Sequence, residues 1–128
     1  MTTTAPRGFR AAGVTAGLKQ SGKPDVALVV NDGPRFDAAG VFTANRVKAA
    51  PIRWCENLFR RGHSGKVAAG GSDTQLAAVI LNSGGANACT GPEGYQDTVA
   101  TAEHVGSVLS LPASRVAVAS TGLIGVRL

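Results

Sequence analysis

Two short stretches of this sequence carry the hydroxyl, amide and glycine residues best suited to chemistry. Residues 82–91 (NSGGANACTG) link an apolar run to a helical pattern, and residues 120–125 (STGLIG) follow a later apolar run. Such residues are typical of tight turns that present backbone N–H groups. Both stretches are therefore candidate binding or catalytic loops.

The pair Thr121-Gly122 could stabilise a developing negative charge. A strand that ends at this pair can direct a side-chain hydroxyl and a backbone N–H at one point, which is what an oxyanion hole requires. Functional groups of α/β proteins often lie beyond strand ends. A turn closed by a threonine explains the same residues, and composition alone favours that simpler interpretation.

Residues 82–91 allow two interpretations that the sequence does not separate. The loop's N–H groups and the start of the following helix could bind an anion, or Asn82 and Asn87 could hydrogen-bond the loop's own backbone. Neither a dinucleotide-binding glycine fingerprint nor a phosphate-binding loop is present. The Gly-Lys pair at residues 65–66 fails as the latter because Val67 follows it, where Ser or Thr is needed.

The two cysteines and two histidines indicate neither a metal site nor an activated nucleophile. Cys55 and Cys89 lack metal-ligand spacing with His63 or His104, so we expect no metal and two reduced thiols. A pair between Cys89 and a histidine is conceivable. A small buried cysteine at a loop–helix junction is the favoured interpretation.

Composition predicts one globular α/β domain. The chain has 128 residues, 17 of them glycine, and only 5% aromatic residues, which favours Ala, Val and Leu packing over a base-stacking surface. The net charge is +5, but the basic residues are spread out, so we expect no nucleic-acid interface. The sequence has no signal-peptide core and no apolar run of membrane-spanning length, which predicts a cytoplasmic protein.

Short apolar runs bounded by turn residues predict four strands, at residues 26–30, 38–44, 76–81 and 115–119. Residues 1–7 are predicted to be a disordered lead to a single domain over residues 8–128. Within that domain, the glycine-rich residues 62–73 are predicted to form a flexible surface loop.

Two helices are predicted from apolar residues at helical spacing. The first follows Pro51, ends before Gly62, and has an apolar face of Ile52, Cys55, Leu58 and Phe59. The second starts near Pro92, where Thr90 and Glu93 match a capping box. Its predicted apolar face comprises Tyr95, Val99, Ala102, Val105, Gly106 and Leu109.

Four motifs occur in a fixed order: GFRAAGV at residues 8–14, GVFTANRVKAAP at 40–51, NSGGANACTG at 82–91 and STGLIG at 120–125. Together they resemble the N-terminal part of the α chain in the ornithine acetyltransferase (glutamate N-acetyltransferase) family of arginine biosynthesis. The resemblance implies a mixed sheet with helices, as the N-terminal part of that family's layered α/β fold.

The resemblance also implies an activity and site residues. Members of this family move an acetyl group from N2-acetylornithine to glutamate, some also use acetyl-CoA, and no other cofactor is implied. The precursor cuts itself into α and β chains, and the new N-terminal Thr of the β chain forms the acyl-enzyme. By motif, the Thr121 hydroxyl and the Gly122 N–H correspond to the oxyanion hole.

Some features of the family are absent from this chain. The glycine-rich segment that leads to the nucleophilic Thr and a Pro-Met continuation after residues 120–125 are missing, and residues 62–73 are longer than the family needs. We therefore expect an incomplete α chain that is inactive alone and assembles with a β chain into an αβ hetero-oligomer. The alternative is a non-catalytic interaction module or a degenerate paralogue.

Overall fold

The computed structural model describes residues 2–61 and 74–128, so His63 and the predicted loop at residues 62–73 lie outside the described residues. The elements in chain order are β1 (Phe9–Val14), β2 (Val26–Asn31), α1 (Ala50–Arg61), β3 (Ala78–Gly85), α2 (Gly91–Leu109) and β4 (Val116–Leu123). A 3₁₀ turn, Ala113–Arg115, leads into β4. The predicted α/β class is confirmed.

The strands form one mixed sheet in the order β1-β2-β3-β4. β2 pairs antiparallel with β1 and with β3, whereas β4 runs parallel to β3. Parallel neighbours need a crossover connection, and α2 provides it. β1 and β4 are therefore the edge strands of this sheet.

One face of the sheet packs against α2 and forms the main core. Its buried residues are Ala78, Ala102, Val105, Val116 and Val118, with Leu28, Trp54, Ile80, Leu109 and Ala113 packed around them. Ala102 and Val116 are completely buried. Small side chains on α2 allow the helix to approach the sheet closely.

The buried face of α2 differs in part from the predicted one. Ala102, Val105 and Gly106 are buried as predicted, but Gly94 and Thr98 are buried where Tyr95 and Val99 were expected. Thr98 can be buried because its hydroxyl donates to the Gly94 carbonyl over 3.1 Å, which satisfies a polar group away from water. A prediction based on apolar residues alone does not identify such a threonine as buried.

The predicted strand at residues 38–44 is wrong. These residues adopt neither helix nor strand, and the Val41 side chain is 99% exposed. A strand needs a partner along its length, but among the described residues only the start of this run is paired, by the Asp37↔Gln75 bridge and the Ala38 N–H to the Thr74 carbonyl. The run instead packs through Phe42, whose ring lies edge-on to Phe59 of α1 at a centroid distance of 5.4 Å.

The other predicted elements are present with shifted bounds. The helix after Pro51 is α1, in which Cys55 and Leu58 are buried as predicted. β3 begins at Ala78 and extends to Gly85, and β4 extends to Leu123. Both strands continue past their apolar runs because the residues that follow pair with each other, from Asn82↔Ser120 to Gly85↔Leu123.

Long apolar helices and metal-binding clusters are both absent from the described residues. None of its helices is long and apolar enough to cross a bilayer. Residues 2–61 and 74–128 also contain no group of three or more His, Cys, Asp or Glu side chains that could hold a metal ion. Residues 2–7 are exposed and form turns.

A buried aspartate holds the connection between β1 and β2. Asp25 accepts the Ala16 N–H over 2.6 Å and the Lys19 N–H over 3.0 Å. Its own N–H donates to Val14, and its carbonyl accepts the Ser83 N–H over 2.8 Å. The N–H groups of Ala16 and Lys19 hold the pKa of the Asp25 carboxyl below its ordinary value. Asp25 thus joins the β1–β2 loop to β3.

Replacing Asp25 should destabilise the fold in a pH-dependent way. Asp25→Asn should lower the melting temperature of the complete gene product at pH 7, because a neutral amide is a weaker acceptor for two N–H groups. The folded-state pKa is lowered, so the carboxylate stabilises the fold above its ordinary pKa of 3.8 and loses this effect as the pH falls through the lowered value.

The melting temperatures of wild type and Asp25→Asn should therefore converge as the pH falls below about 4. The matched control is Asp37→Asn, which removes only a surface pair between Arg35 and a carboxylate that is 52% exposed. A difference between wild type and Asp25→Asn that stays constant from about pH 7 to about pH 3 would contradict this role.

Candidate functional site

Helix α1 covers the first half of the free edge of β4 with hydrogen-bond donors. The Trp54 indole N–H donates to the Val116 carbonyl over 2.9 Å, and the Cys55 thiol donates to the Val118 carbonyl over 3.3 Å. Burial raises the pKa of the Cys55 thiol, which keeps the proton that this bond requires. Cys55 is thus a structural donor and not an activated nucleophile.

The second half of this edge is open. Backbone groups of a strand point alternately to its two sides, and the carbonyls of Arg115 and Leu123 accept N–H groups from Ala77 and Ala86 on the β3 side. Even-numbered residues of β4 therefore point outward, as Val116 and Val118 do. No described residue hydrogen-bonds to the outward backbone of Ser120 or Gly122. The Gly122 N–H consequently lies at an uncovered edge.

A glycine is required at position 122. Gly122 and its partner Gly84 have φ angles of 133° and 127°, which residues with a side chain rarely adopt. A Cβ on Gly122 would lie 2.4 Å from the Gly84 carbonyl carbon and 2.5 Å from its oxygen. The two backbones approach too closely for any side chain, which fixes where the Gly122 N–H lies.

The hydroxyl of Thr121 is available beside this N–H. Thr121 is exposed, and its hydroxyl has no hydrogen-bond partner in the described ranges. It lines a cleft of about 460 Å³ together with Asp25, Leu81, Ser83, Ala119 and Ser120. The cleft lies on the sheet face opposite α2, since Thr121 and Val118 differ by an odd number of residues along β4.

The structure corrects the predicted setting of this pair. Residues 120–125 were expected to form a turn after the strand, but β4 continues through the pair to Leu123. Thr121 and Gly122 are consecutive strand residues, so one presents its side chain on the open face and the next presents its N–H at the open edge. Two hydrogen-bond donors are thereby placed at one corner of the sheet.

The second candidate stretch proves to be a hydrogen-bonded junction. Asn87 is 1% exposed, and its amide donates to the Gly94 carbonyl over 2.8 Å and to the Thr98 hydroxyl over 3.0 Å. The Asn82 amide donates to the Gly85 carbonyl over 2.9 Å. Both asparagines hydrogen-bond nearby backbone, which was one of the two interpretations that the sequence left open.

The predicted capping box at the start of α2 is wrong. Thr90 precedes the helix but makes no side-chain capping bond. Its hydroxyl instead donates to Asn87 Oδ1 over 2.6 Å. The buried Oδ1 of Asn87 needs a hydrogen-bond donor, and leaving it unpaired would cost more than leaving an exposed helix end uncapped.

The remaining candidate residues do not form a site. Cys55 is buried and Cys89 is exposed, and both are free thiols. The expectation that Cys89 is buried is wrong: it lies in a turn with a φ of 58°, which directs its side chain to solvent. His104 is exposed on α2.

Two features of the site were missed by sequence reasoning. Cys55 was predicted only as part of an apolar helix face, but it and the neighbouring Trp54 both donate hydrogen bonds to β4. The facing glycines had a signal in the sequence, because Gly84 and Gly122 each follow a hydroxyl residue and lie three residues past the end of an apolar run. The structure shows that the two glycines pair in register.

Comparison with known proteins finds the same family by each search. The model of the ArgJ family matches residues 10–128. A protein of Streptomyces coelicolor named arginine biosynthesis bifunctional protein ArgJ is 59% identical over 128 residues, which is all of this chain and 30% of that protein. The protein of the same name from Mycobacterium tuberculosis is 57% identical over 130 residues, with 29% of its length covered.

Two solved structures share this fold. The ornithine acetyltransferase of Mycobacterium tuberculosis, complexed with ornithine, superposes with a TM-score of 0.86 at 56% identity, covering 97% of this chain and 61% of the other. The arginine biosynthesis bifunctional protein of Bacillus halodurans gives a TM-score of 0.79 at 35% identity, covering 95% and 57%. The chain thus spans about 30% of the curated relatives, as their N-terminal part.

Gly122→Ala should destabilise the complete gene product and displace β4. The unfavourable φ alone costs about 1–3 kcal/mol, and the overlap with Gly84 adds to it. Gly125→Ala is the matched control, since Gly125 also has a positive φ of 83° but has open space around its Cβ position. Thermal unfolding should show a larger loss for Gly122→Ala than for Gly125→Ala, and equal losses would contradict the close approach.

Proposed function

We infer the function of this chain from one premise, which is that the chain belongs to the ArgJ family. The relatives are named for arginine biosynthesis, and one solved relative is an ornithine acetyltransferase complexed with ornithine. We propose that this chain is part of a glutamate N-acetyltransferase and supplies its oxyanion hole. The observation that carries the proposal is the open Gly122 N–H beside the unpaired Thr121 hydroxyl.

The proposed reaction transfers an acetyl group from N2-acetylornithine to glutamate in two steps. A threonine hydroxyl outside this chain attacks the acetyl carbonyl, the carbonyl oxygen becomes an oxyanion, and the C–N bond breaks so that ornithine leaves with a proton. The amine of glutamate then attacks the acyl-enzyme and releases the threonine. Each step passes through a tetrahedral oxyanion that needs hydrogen-bond donors.

The geometry of the described residues suits this role. The Gly122 N–H is held by the β3–β4 ladder and needs no rearrangement to donate. The Thr121 hydroxyl has no competing partner among the described residues, so it is free to turn toward the oxyanion. Preorganised donors of this kind account for much of the rate enhancement in acyl transfer.

The surface around Thr121 and Gly122 is suited to contact with another chain. Leu123 and Ile124 are 68% and 69% exposed, and an exposed apolar patch next to a strand edge is a common docking surface. We propose that the β chain of the same precursor, released by self-cleavage, covers this corner in a cytoplasmic αβ hetero-oligomer. Excluding water would strengthen both hydrogen bonds to the oxyanion.

No metal or cofactor has a role in the proposed mechanism, because backbone and side-chain donors supply the stabilisation. The relatives are called bifunctional, and we propose acetyl-CoA as the second acetyl donor. Its thioester carbonyl would develop the same oxyanion at the same pair of donors.

Thr121→Ala should lower kcat of the complete gene product by about 10–1,000-fold, as removal of one oxyanion donor does elsewhere. The assay is acetylornithine-dependent acetylation of glutamate. Thr101→Ala is the matched control, because its hydroxyl bonds only to the Asp97 carbonyl within α2, and it should keep kcat within about twofold. An unchanged kcat in Thr121→Ala would remove Thr121 from the mechanism.

The chain by itself should be inactive, since the proposed nucleophile lies outside it. Mixing the chain with the remainder of the gene product should restore acetyl transfer if the two parts assemble. The same mixture prepared with Thr121→Ala should recover less activity than the wild-type mixture. Acetyl transfer by the isolated chain would contradict the proposal and place a nucleophile within these residues.

A further inference from the structure

We propose that Asn87 is a positioning residue for the oxyanion hole, acting through the backbone of residues 86–88. This inference rests on the function proposed above. Asn87 hydrogen-bonds to neither Thr121 nor Gly122 and acts on the reaction through the hydrogen bonds of the residues on either side of it.

Asn87 joins the starts of both helices at one point. Its carbonyl accepts the N–H of Ala50, the first residue of α1, over 3.0 Å. Its side chain binds the first turns of α2 through Gly94 and Thr98, and its Oδ1 holds Thr90. Both N–H groups of the amide and one lone pair of its oxygen are therefore used.

The backbone of Asn87 is held in an unfavourable conformation. Its φ is 47°, in the left-handed region that costs residues with a side chain free energy. The bonds of the buried amide offset this cost. The conformation turns the chain so that Ala86 and Ala88, on either side, both face the end of β4.

These two flanking residues hold the strand that carries the site. The Ala86 N–H donates to the Leu123 carbonyl over 2.8 Å, and the Ala88 carbonyl accepts the Gly125 N–H over 2.8 Å. The first bond holds the last residue of β4, directly after Gly122, and the second holds the chain just beyond the strand. A shift of residues 86–88 must therefore move Leu123 and Gly125, and with them the adjacent Gly122.

The sheet leaves little room to absorb such a shift. A Cβ on Gly84 would lie 2.8 Å from the Leu18 carbonyl oxygen, and one on Gly122 would meet Gly84 itself. The end of β3 is therefore packed closely between the backbone of Leu18 and that of Gly122. Movement at Asn87 is consequently transmitted to the orientation of the Gly122 N–H instead of being taken up by loose side chains.

A double-mutant cycle in the complete gene product tests this coupling. Asn87→Ala should lower kcat for acetyl transfer to glutamate by about 10–100-fold, the size of effect that a misplacement of about 1 Å causes, while KM changes by less than about threefold. If Asn87 acts through the oxyanion hole, the loss of kcat in the double variant Asn87→Ala/Thr121→Ala should be clearly smaller than the product of the two single losses, because the Thr121 hydroxyl contributes less once the pair is misplaced.

A second pair of variants keeps the test decisive if Asn87→Ala does not fold. Thr98→Val removes one acceptor of the Asn87 amide and should lower kcat, whereas Thr98→Ser keeps the hydroxyl and should restore it. Thr101→Val is the matched control, since it makes the same substitution at a hydroxyl bonded only within α2. A kcat for Thr98→Val equal to that of Thr101→Val would overturn the inference.

The outcomes separate this inference from the proposed function. If Thr121→Ala leaves kcat unchanged, the proposed function fails and this inference fails with it. If Thr121→Ala lowers kcat but the losses in Asn87→Ala and Thr121→Ala multiply in the double variant, the proposed function stands and the positioning role of Asn87 is refuted.

Discussion

Two side-chain hydrogen bonds from α1 determine which part of the sheet's edge remains open. Trp54 and Cys55 donate to the outward carbonyls of Val116 and Val118, and an edge strand without such partners exposes unpaired backbone groups. The next outward residues of β4, Ser120 and Gly122, receive no such donors from the described residues. The helix thus provides hydrogen-bond partners for the buried part of the edge, at Val116 and Val118. The part at Ser120 and Gly122 stays open.

The open part of the edge is useful because it is rigid. The parallel ladder with β3 continues to Leu123, and the facing glycines at positions 84 and 122 bring the two backbones together where a side chain would not fit. The junction at Asn87 then ties the strand end to both helices. A donor that does not have to move is the kind that stabilises a transition state, and the fold around Gly122 is built to hold it still.

Much of the fold could be predicted from the sequence, and the predictions that proved wrong have physical causes. The apolar runs located β2, β3, β4 and both helices because burial is periodic in strands and helices. The run at residues 38–44 has the same composition but no strand beside it, and pairing is a tertiary property that composition does not contain. The capping box failed because the Thr90 hydroxyl has a buried amide as a competing partner.

The candidate site could be predicted only in part from the sequence. The motif resemblance indicated Thr121 and Gly122, and the structure supplied what the motif could not, which is that both belong to a strand and lie at its open corner. The donor roles of Trp54 and Cys55 had no sequence signal, because the same residues also suit a buried helix face. Asn87 was visible as a loop asparagine, but its contacts with two helices depend on how the chain folds back.

The central claim is that the Gly122 N–H and the Thr121 hydroxyl receive the oxyanion of acetyl transfer. A crystal structure of the complete gene product with the acetyl group trapped on its nucleophilic threonine tests this claim most directly. We predict that the acetyl carbonyl oxygen lies at about 2.7–3.1 Å from both the Gly122 nitrogen and the Thr121 Oγ1. An acetyl oxygen bound by other donors, with the Gly122 N–H paired to another strand, would contradict it.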